Sequence, residues 1–484
     1  MSGSDMLATR RFTLADQQDF ATLSGDVNPM HLDALAARRT QAGVLVVHGI
    51  NALLWALNVY CGAEPDARLT DISVRFERFI PVDEEVTLFL RRGSATKLEL
   101  RLAGTRLMSV TIRSVSKGGA TPAIDIDGAL VPLPSNPIAL DFDDARGGRG
   151  VMPLRDCANA YPAVAAQIGS ATVSAVAGLS TLVGMVMPGL HSIFSGADLA
   201  FAANDHAPGR LSYEVVEAHE VFRLLGIGIA ATGVTGKVQA FVRLPPVVQP
   251  TALALRSRVN PDAFAGISAL VVGGSRGLGE VTAKLLAMGG ASVTISYAVG
   301  ASDAEAVAAE IQNAGGLCST MRLDALSPIA PQMAMLPTVA DQIYYFATTK
   351  IFLQKASVYE PELLHSFQKI YVDAFAEICA YASQNATKTV AAFYPSSIAV
   401  EERPRAMTEY TMAKAAAEIL CADIDRFLPH VRTVVRRLPR LLTDQTATVT
   451  PAETLPVADV MLEAVQAMMR LCDNSSRTEK LQTS

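Results

Sequence analysis

The period of the apolar pattern changes along the chain, and each change marks a different kind of element. Asp71-Ile72-Ser73-Val74-Arg75-Phe76-Glu77-Arg78-Phe79 alternates like a half-buried strand. Glu85 to Leu90, Leu98 to Leu102 and Ser109 to Arg113 follow at the spacing of an antiparallel meander. Ahead of them, Ala52 to Val59 is apolar with helical character, so Arg11 to Ser116 predicts helix, polar loop, helix, then strands. The order recurs further on. Ala158 to Met187 is rich in Ala, Gly and Val and reads as a buried helix or two. Short strands follow at Ala197–Phe201, Leu211–Val216, Val221–Ile229 and Val238–Arg243. Beyond Pro245-Pro246-Val247-Val248-Gln249-Pro250, a stiff connector, strands alternate with helices, the signature of a parallel sheet.

These patterns divide the chain into a first α+β unit over 8–118, a linker over 119–150, and a second unit of the same kind over 151–247. A second linker, 248–265, leads to a doubly wound α/β domain over 266–484. The first linker is read from composition, Lys117-Gly118-Gly119 and four prolines before the run Asp141 to Gly150.

Composition narrows the function classes. With 484 residues, half of them hydrophobic and 18% charged, the chain has material for several cores. A dispersed net charge of −6 gives no footprint for nucleic acid. The start of the chain lacks a basic segment followed by an apolar one, so no secretory signal is expected. The run Ala171 to Leu190 carries no charge but is broken by Ser, Thr and Gly, and no membrane span is expected. Cys61, Cys157, Cys318, Cys379, Cys421 and Cys472 have no C-x2-C spacing and read as reduced core thiols of a cytoplasmic protein; no metal site is expected.

Candidate chemistry begins at Ser24-Gly25-Asp26-Val27-Asn28-Pro29-Met30-His31-Leu32-Asp33, too polar and turn-prone for a core element. Asp26 and His31 stand five residues apart. Adding or removing water across a double bond needs one group for the water, another for the α-proton, and donors for the thioester oxygen. The structural alternative is that Asp26 caps a helix and His31 packs beside it. The run, with the following His48-Gly49, resembles the hydratase motif of MaoC-like, R-specific enoyl-CoA hydratases, a hot-dog family. That resemblance implies that Asp26 and His31 share the acid–base work and that a backbone N–H near Gly49 faces the oxyanion. Ile80-Pro81-Val82-Asp83 stands where the family has a similar turn. No such run occurs in 151–247, where His191, His206 and His219 read as structural. The two units together resemble the double hot-dog arrangement of larger members, with one catalytic half.

In the α/β domain, the apolar strand Ser268–Val272 runs into Gly273-Gly274-Ser275-Arg276-Gly277-Leu278-Gly279 and then a helix. Such a turn lets backbone N–H groups approach a pyrophosphate at a helix N-terminus. Tyr410 and Lys414, at i and i+4, share one helix face, where an ammonium can lower the phenol's pKa. Ser397 lies thirteen residues upstream of Tyr410. Together these resemble the short-chain dehydrogenases/reductases. The resemblance implies cofactor binding by Gly273, Ser275, Arg276, Gly277, Leu278, Gly279, Asp324, Tyr410 and Lys414, and catalysis by Ser397, Tyr410 and Lys414. The second strand, Ala291–Tyr297, ends without an acid for a ribose 2′-hydroxyl. Arg276 suits a 2′-phosphate, so NADPH (NADP) is favoured over NADH. Three departures stand out. Tyr345-Phe346-Ala347-Thr348-Thr349 replaces N-N-A-G, Ile370-Tyr371-Val372-Asp373 has no Asn for the family's fourth catalytic position, and Leu438-Pro439-Arg440 replaces the P-G turn.

The expectation is a bifunctional enzyme. It reduces a 3-oxoacyl thioester, linked to CoA or acyl-carrier protein, and dehydrates the 3-hydroxyacyl product to a 2-enoyl thioester. A homodimer through the reductase domain is expected. The alternatives are a single active half, a reductase with acyl-binding units or a dehydratase with a degenerate reductase, and a non-catalytic acyl-carrier docking protein.

Overall fold

Two compact units meet between Pro245 and Pro246. The computed structural model describes residues 4–113, 130–202, 209–349, 358–443 and 455–482; His206 and positions 119–129 of the expected linker lie outside the described residues.

Among the described residues the first unit has ten strands. They are β1 (Ser4–Arg11), β2 (Asp71–Phe76), β3 (Glu85–Arg91), β4 (Thr96–Leu102), β5 (Thr105–Arg113), β6 (Arg149–Pro153), β7 (Ser192–Phe201), β8 (Arg210–His219), β9 (Leu224–Ala231) and β10 (Val234–Val242). They form one sheet in the order β1-β3-β4-β5-β2-β7-β10-β9-β8-β6. Read inward from either edge, the order is first, third, fourth, fifth, second strand of that half. Antiparallel pairing of β2 with β7, Asp71↔Ala200 to Arg75↔Gly196, makes the sheet continuous across the halves. Each half also places its main helix between its first and second strands. After α1 (Leu14–Ser24) comes α2 (Gly49–Ala63) in the first half, and α3 (Ser170–Thr181) holds the equivalent position in the second. Both α2 and α3 are apolar on nearly every face. Ile50, Leu53, Leu54 and Leu57 are buried, as is every residue from Ala171 to Thr181, because the sheet wraps around them.

The expected strands are present, but two others were not foreseen. β1 is a polar, largely exposed edge strand, held by its ladder to β3 rather than by an apolar face. β6 straddles the boundary between the expected linker and the second unit, starting two residues before 151. Residues 130–150 are in fact part of the unit: the Ile138 N–H donates to the Met185 carbonyl at 2.9 Å, and Phe142, on the turn Phe142–Ala145, enters the core. The prolines there fix a path along the surface; they do not loosen it. No single helix among the described residues is long and apolar enough to cross a membrane. Pro162–Ile168 and Ser170–Val186 pass only as a pair bent by 115°.

The second unit is a six-stranded parallel sheet. β11 (Ser268–Val272), β12 (Ser292–Tyr297), β13 (Leu317–Arg322), β14 (Gln342–Tyr345), β15 (Val390–Ser397) and β16 (Val431–Leu438) run in the order β13-β12-β11-β14-β15-β16. This is the doubly wound order, with the strand order reversing beside β11, where such sheets bind ligands beyond their carboxyl ends. α4 (Gly277–Met288) follows β11, and α5 (Thr408–Phe427) follows β15. The expected linker 248–265 is also structured: Ala252–Arg256 is helical, and its Ala252 and Leu255 are buried in this unit's core.

Candidate active sites

In the first unit, the polar run after α1 folds on itself through its own side chains. α1 ends at Gly25, which takes φ +91°. Ser24 Oγ accepts from the Asp26 N–H at 3.1 Å, and Asn28 Oδ1 accepts from Met30 N–H at 3.2 Å to cap the turn Pro29–Leu32. Asp33 caps the helix Ala34–Arg38 by accepting from Leu35 N–H at 2.8 Å. The helix caps here are Asn28 and Asp33; Asp26, the residue offered as a cap in the structural alternative, caps neither helix. It is 2% exposed, and its carboxylate lines a cleft of ≈ 550 Å³ that opens to solvent.

Around Asp26 the two halves of the unit meet. Oδ1 accepts from Asn28 N–H at 3.1 Å, and Oδ2 accepts from the Ser180 hydroxyl of α3 at 2.6 Å. A Cβ at Gly184, in the turn after α3, would lie 2.5 Å from Asp26 Oδ1, so the carboxylate's position requires glycine there. Asn28 Nδ2 ties the loop to the same turn by donating to the Gly184 carbonyl at 2.9 Å. His31 Nδ1 donates to the Val46 carbonyl at 2.8 Å, which leaves Nε2 as the unprotonated nitrogen. The His48 ring stacks on His31 with centroids 3.8 Å apart. Its own nitrogens face Gln17 Oε1 at 3.0 Å and the Asp26 carbonyl at 3.1 Å.

Burial raises the Asp26 carboxyl above its ordinary 3.8, opposed by His31, the Ser180 hydroxyl and the Asn28 N–H. Burial lowers His31 below 6.5, opposed by Asp26 and Val46. It drives His48 well below 6.5, with His31 adding to the shift. Two neutral imidazoles therefore stack without charge repulsion near neutral pH. Asp26, His31 and His48 bring ligand atoms within 4.8 Å of one another, but both His48 nitrogens already face protein acceptors. Gly49 opens α2, whose N-terminus has no side-chain cap, and it lines the same cleft. The first-turn N–H groups of a helix have no intrahelical acceptor and suit a developing oxyanion.

In the second unit, the loop after β11 is built for close approach. Gly273 and Gly277 take φ +79° and +60°. A Cβ at Gly279 would lie 2.3 Å from the Gly273 carbonyl oxygen. α4 begins without a side-chain cap, with Ser275 buried and Arg276 half-buried in the turn before it and Leu278 in its first turn. Asp324 is held by its own turn, its carboxylate accepting from Leu326 N–H at 3.0 Å and the Ser327 hydroxyl at 3.1 Å. Farther along the same edge, Ser397 at the end of β15 is hydrogen-bonded to Tyr410 on α5. Lys414, one turn on, is 5% exposed and donates to the Pro395 carbonyl at 2.7 Å. Sequence reasoning gave the ammonium the task of lowering the Tyr410 pKa. In the structure, burial raises Tyr410 above 10, and burial pulls Lys414 down to about 7. The Lys414 nitrogen sits 5.9 Å from the Tyr410 ring centre and points at Pro395, so desolvation outweighs its charge.

Residues 4–106 match the family model of the MaoC like domain, and residues 268–428 match that of the short chain dehydrogenases. The chain joins a MaoC-like dehydratase domain to a short-chain dehydrogenase domain. No curated protein matches it. Similar solved structures include a short chain dehydrogenase from Burkholderia cenocepacia in complex with NADP, at 20% identity and TM-score 0.38, covering 43% of this chain and 91% of that one. A short-chain dehydrogenase/reductase mutant from Serratia marcescens has 22% identity and TM-score 0.37, with 43% and 91% covered. FolM alternative dihydrofolate reductase 1 from Brucella canis, complexed with NADP, has 16% identity and TM-score 0.37, with 42% and 89% covered.

The MaoC-like domain brings Asp26, His31 and Gly49 to one cleft, and the dehydrogenase domain brings Ser397, Tyr410 and Lys414 to one strand end. Ser180 and Gly184 were missed. A serine and a glycine in an apolar Ala/Gly/Val helix carry no local signal, and Ser180 lies 154 residues from its partner. Of the histidines read as structural, His191 packs near Arg243 with a buried Nδ1 that has no partner, and His219 is exposed at the end of β8.

Proposed function

We propose that the chain reduces a 3-oxoacyl thioester with NADPH and dehydrates the resulting (R)-3-hydroxyacyl thioester to a 2-enoyl thioester. The observation that supports this reading is the proximity of Asp26 to His31 and of Ser397 to Tyr410 and Lys414, two sets whose reactions would share one 3-hydroxyacyl compound. At the dehydrogenase site, a Cβ at Gly273 or Gly279 would crowd neighbouring backbone, and the uncapped start of α4 suits a pyrophosphate. A dinucleotide held by Gly273, Ser275, Gly277, Leu278 and Gly279, with Arg276 near its 2′-phosphate and Asp324 near its adenine, would supply hydride. Ser397 orients the 3-oxo oxygen, and Tyr410, kept protonated by its raised pKa, donates the proton to it. Lys414 restores that proton from solvent.

At the MaoC-like site, ionised Asp26 and neutral His31 divide the remaining work. One of them takes the α-proton, and that same proton, shared between His31 Nε2 and the Asp26 carboxylate, is then passed to the departing 3-hydroxyl, which leaves as water. The N–H of Gly49 holds the thioester oxygen as charge builds on it. The pair is read as acting on water, without a metal. The two equivalent halves are read as a double hot-dog, and the protein as cytoplasmic, dimeric through its reductase domain, and supplied by CoA or acyl-carrier protein.

A second reading, a dehydratase with a degenerate reductase, is favoured by one observation: Tyr371 occupies the segment where the family has its asparagine. The test is dehydration of a 3-hydroxyacyl thioester, followed as 2-enoyl product, in the purified chain and in the Asp26→Asn/His31→Ala double variant. The wild type should form enoyl product without added nucleotide, and the double variant should not. Undiminished turnover in the double variant would remove Asp26 and His31 from the mechanism.

A further inference from the structure

The surroundings of Lys414 differ from a simple Tyr–Lys pair. Its nitrogen lies 4.2 Å from the Tyr371 ring centre and 4.7 Å from that of Tyr394. These are the separations at which an ammonium is attracted by an aromatic face. Tyr371 lies in a π-helical stretch, Lys369–Asp373, a local widening that turns its ring inward between Lys414 and Tyr410. Its ring meets the Tyr410 ring edge-on, with centres 5.5 Å apart and planes at 84°. Its hydroxyl is hydrogen-bonded to Thr348 Oγ1 at 2.6 Å, within the segment that replaces N-N-A-G. Two of the three departures from the family pattern therefore touch each other, and one of them, at Tyr371, touches Lys414.

We propose that Tyr371 is the positioning residue for Lys414: Thr348 anchors its hydroxyl, and its ring face, with that of Tyr394, holds the ammonium beside Tyr410. This deepens the reductase reading above and rests on it for its catalytic consequence. Other groups bear on Lys414 from each neighbouring element. Glu418 and Cys421 come from α5 itself, and Pro395 and Tyr394 come from β15. Glu418 is paired with Arg437 of β16, so much of its charge is already answered. Burial raises the Tyr371 and Tyr394 hydroxyls far above 10, so both rings remain neutral phenols while Lys414 titrates. The rings favour the charged lysine and burial favours the neutral one. The balance near pH 7 lets Lys414 both hold and release the proton that Tyr410 uses.

The test is the titration of Lys414 in the full chain, read by NMR after reductive methylation with ¹³C-formaldehyde and assigned with Lys414→Arg. This readout needs no turnover, so it stands apart from the reductase assay. Tyr371→Leu should lower the midpoint by about one pH unit, because the ammonium loses its aromatic face. Tyr371→Phe, which keeps the ring but loses the Thr348 anchor, should lower it by clearly less than the leucine variant does. If the leucine variant does not fold, Tyr371→Met fills the same space without a ring and carries the same expectation. In NADPH oxidation with a 3-oxoacyl thioester, the ringless variant should lose about tenfold in kcat with little change in KM, and the break in its pH profile should move down with the midpoint. A Lys414 midpoint that is unchanged or raised in the ringless variant, or that falls equally in Tyr371→Phe, overturns the proposal. A shifted midpoint in a chain that never oxidises NADPH supports it while contradicting the reductase function.

Discussion

The two halves of the MaoC-like unit share a strand order and a buried central helix, yet they contribute opposite things to the cleft. The first half supplies groups that can ionise or transfer protons: Asp26, His31 and the uncapped start of α2. The second supplies two serines, Ser180 and Ser192, an apolar wall of Val183, Ile193 and Phe194, and one missing side chain, Gly184. Two halves with one strand order thus share a single cleft around Asp26, the first lining it with ionisable groups and the second with the surface packed against them.

Substitutions on either side of that division test it in order of severity, with NADPH-dependent reduction by the dehydrogenase domain as the internal control in each case. Asp26→Asn removes the carboxylate and should lower dehydration by roughly 10³-fold, measured as kcat for enoyl formation. Gly184→Ala inserts a Cβ 2.5 Å from Asp26 Oδ1; moving the carboxylate should lower kcat by about 10²-fold and reduce the melting temperature of the unit. Ser180→Ala removes a hydrogen bond that favours ionised Asp26, so kcat should fall by about tenfold at neutral pH. The acid limb of its pH–rate profile should also move to higher pH. A Ser180→Ala profile that keeps the wild-type limb would reduce the second half to inert packing. His191→Ala, also in the second half but absent from the cleft lining, should change dehydration by less than about twofold.

The same carboxylate makes a prediction about stability. In the fold, burial raises Asp26 above 3.8, so the folded chain binds that proton more tightly than the unfolded chain. Its ionisation therefore opposes folding at every pH above that range. Asp26→Asn should melt at a higher temperature than wild type at pH 7, and the gap should close as the pH falls toward about 4. Equal melting temperatures at pH 7 would mean that the cleft solvates the carboxylate after all.

The sequence disclosed what is written locally. Asp26 and His31 were visible because the run that holds them is polar and punctuated, with Gly25 ending α1 and Asn28 capping the turn Pro29–Leu32 between them. The dehydrogenase loop was visible because Gly273, Gly277 and Gly279 cannot carry side chains where they stand. β1 and β6 escaped because an exposed edge strand needs only ladder hydrogen bonds, and its sequence need not alternate. Ser180 and Gly184 escaped because their meaning comes from a carboxylate more than 150 positions away. Spacing placed Lys414 on the helix face of Tyr410, while only packing shows the burial that pulls it down to about 7 and the aromatic rings beside it.

The central claim is that both reactions meet at one 3-hydroxyacyl thioester. The most direct measurement is mass spectrometry of the products formed from a 3-oxoacyl thioester and NADPH by wild type, Asp26→Asn and Tyr410→Phe. The account predicts 2-enoyl thioester from wild type, accumulated 3-hydroxyacyl thioester from Asp26→Asn, and unchanged 3-oxoacyl thioester from Tyr410→Phe. Enoyl product from Asp26→Asn at the wild-type rate, or no NADPH-dependent product from the wild type with either CoA- or carrier-linked substrates, would contradict it.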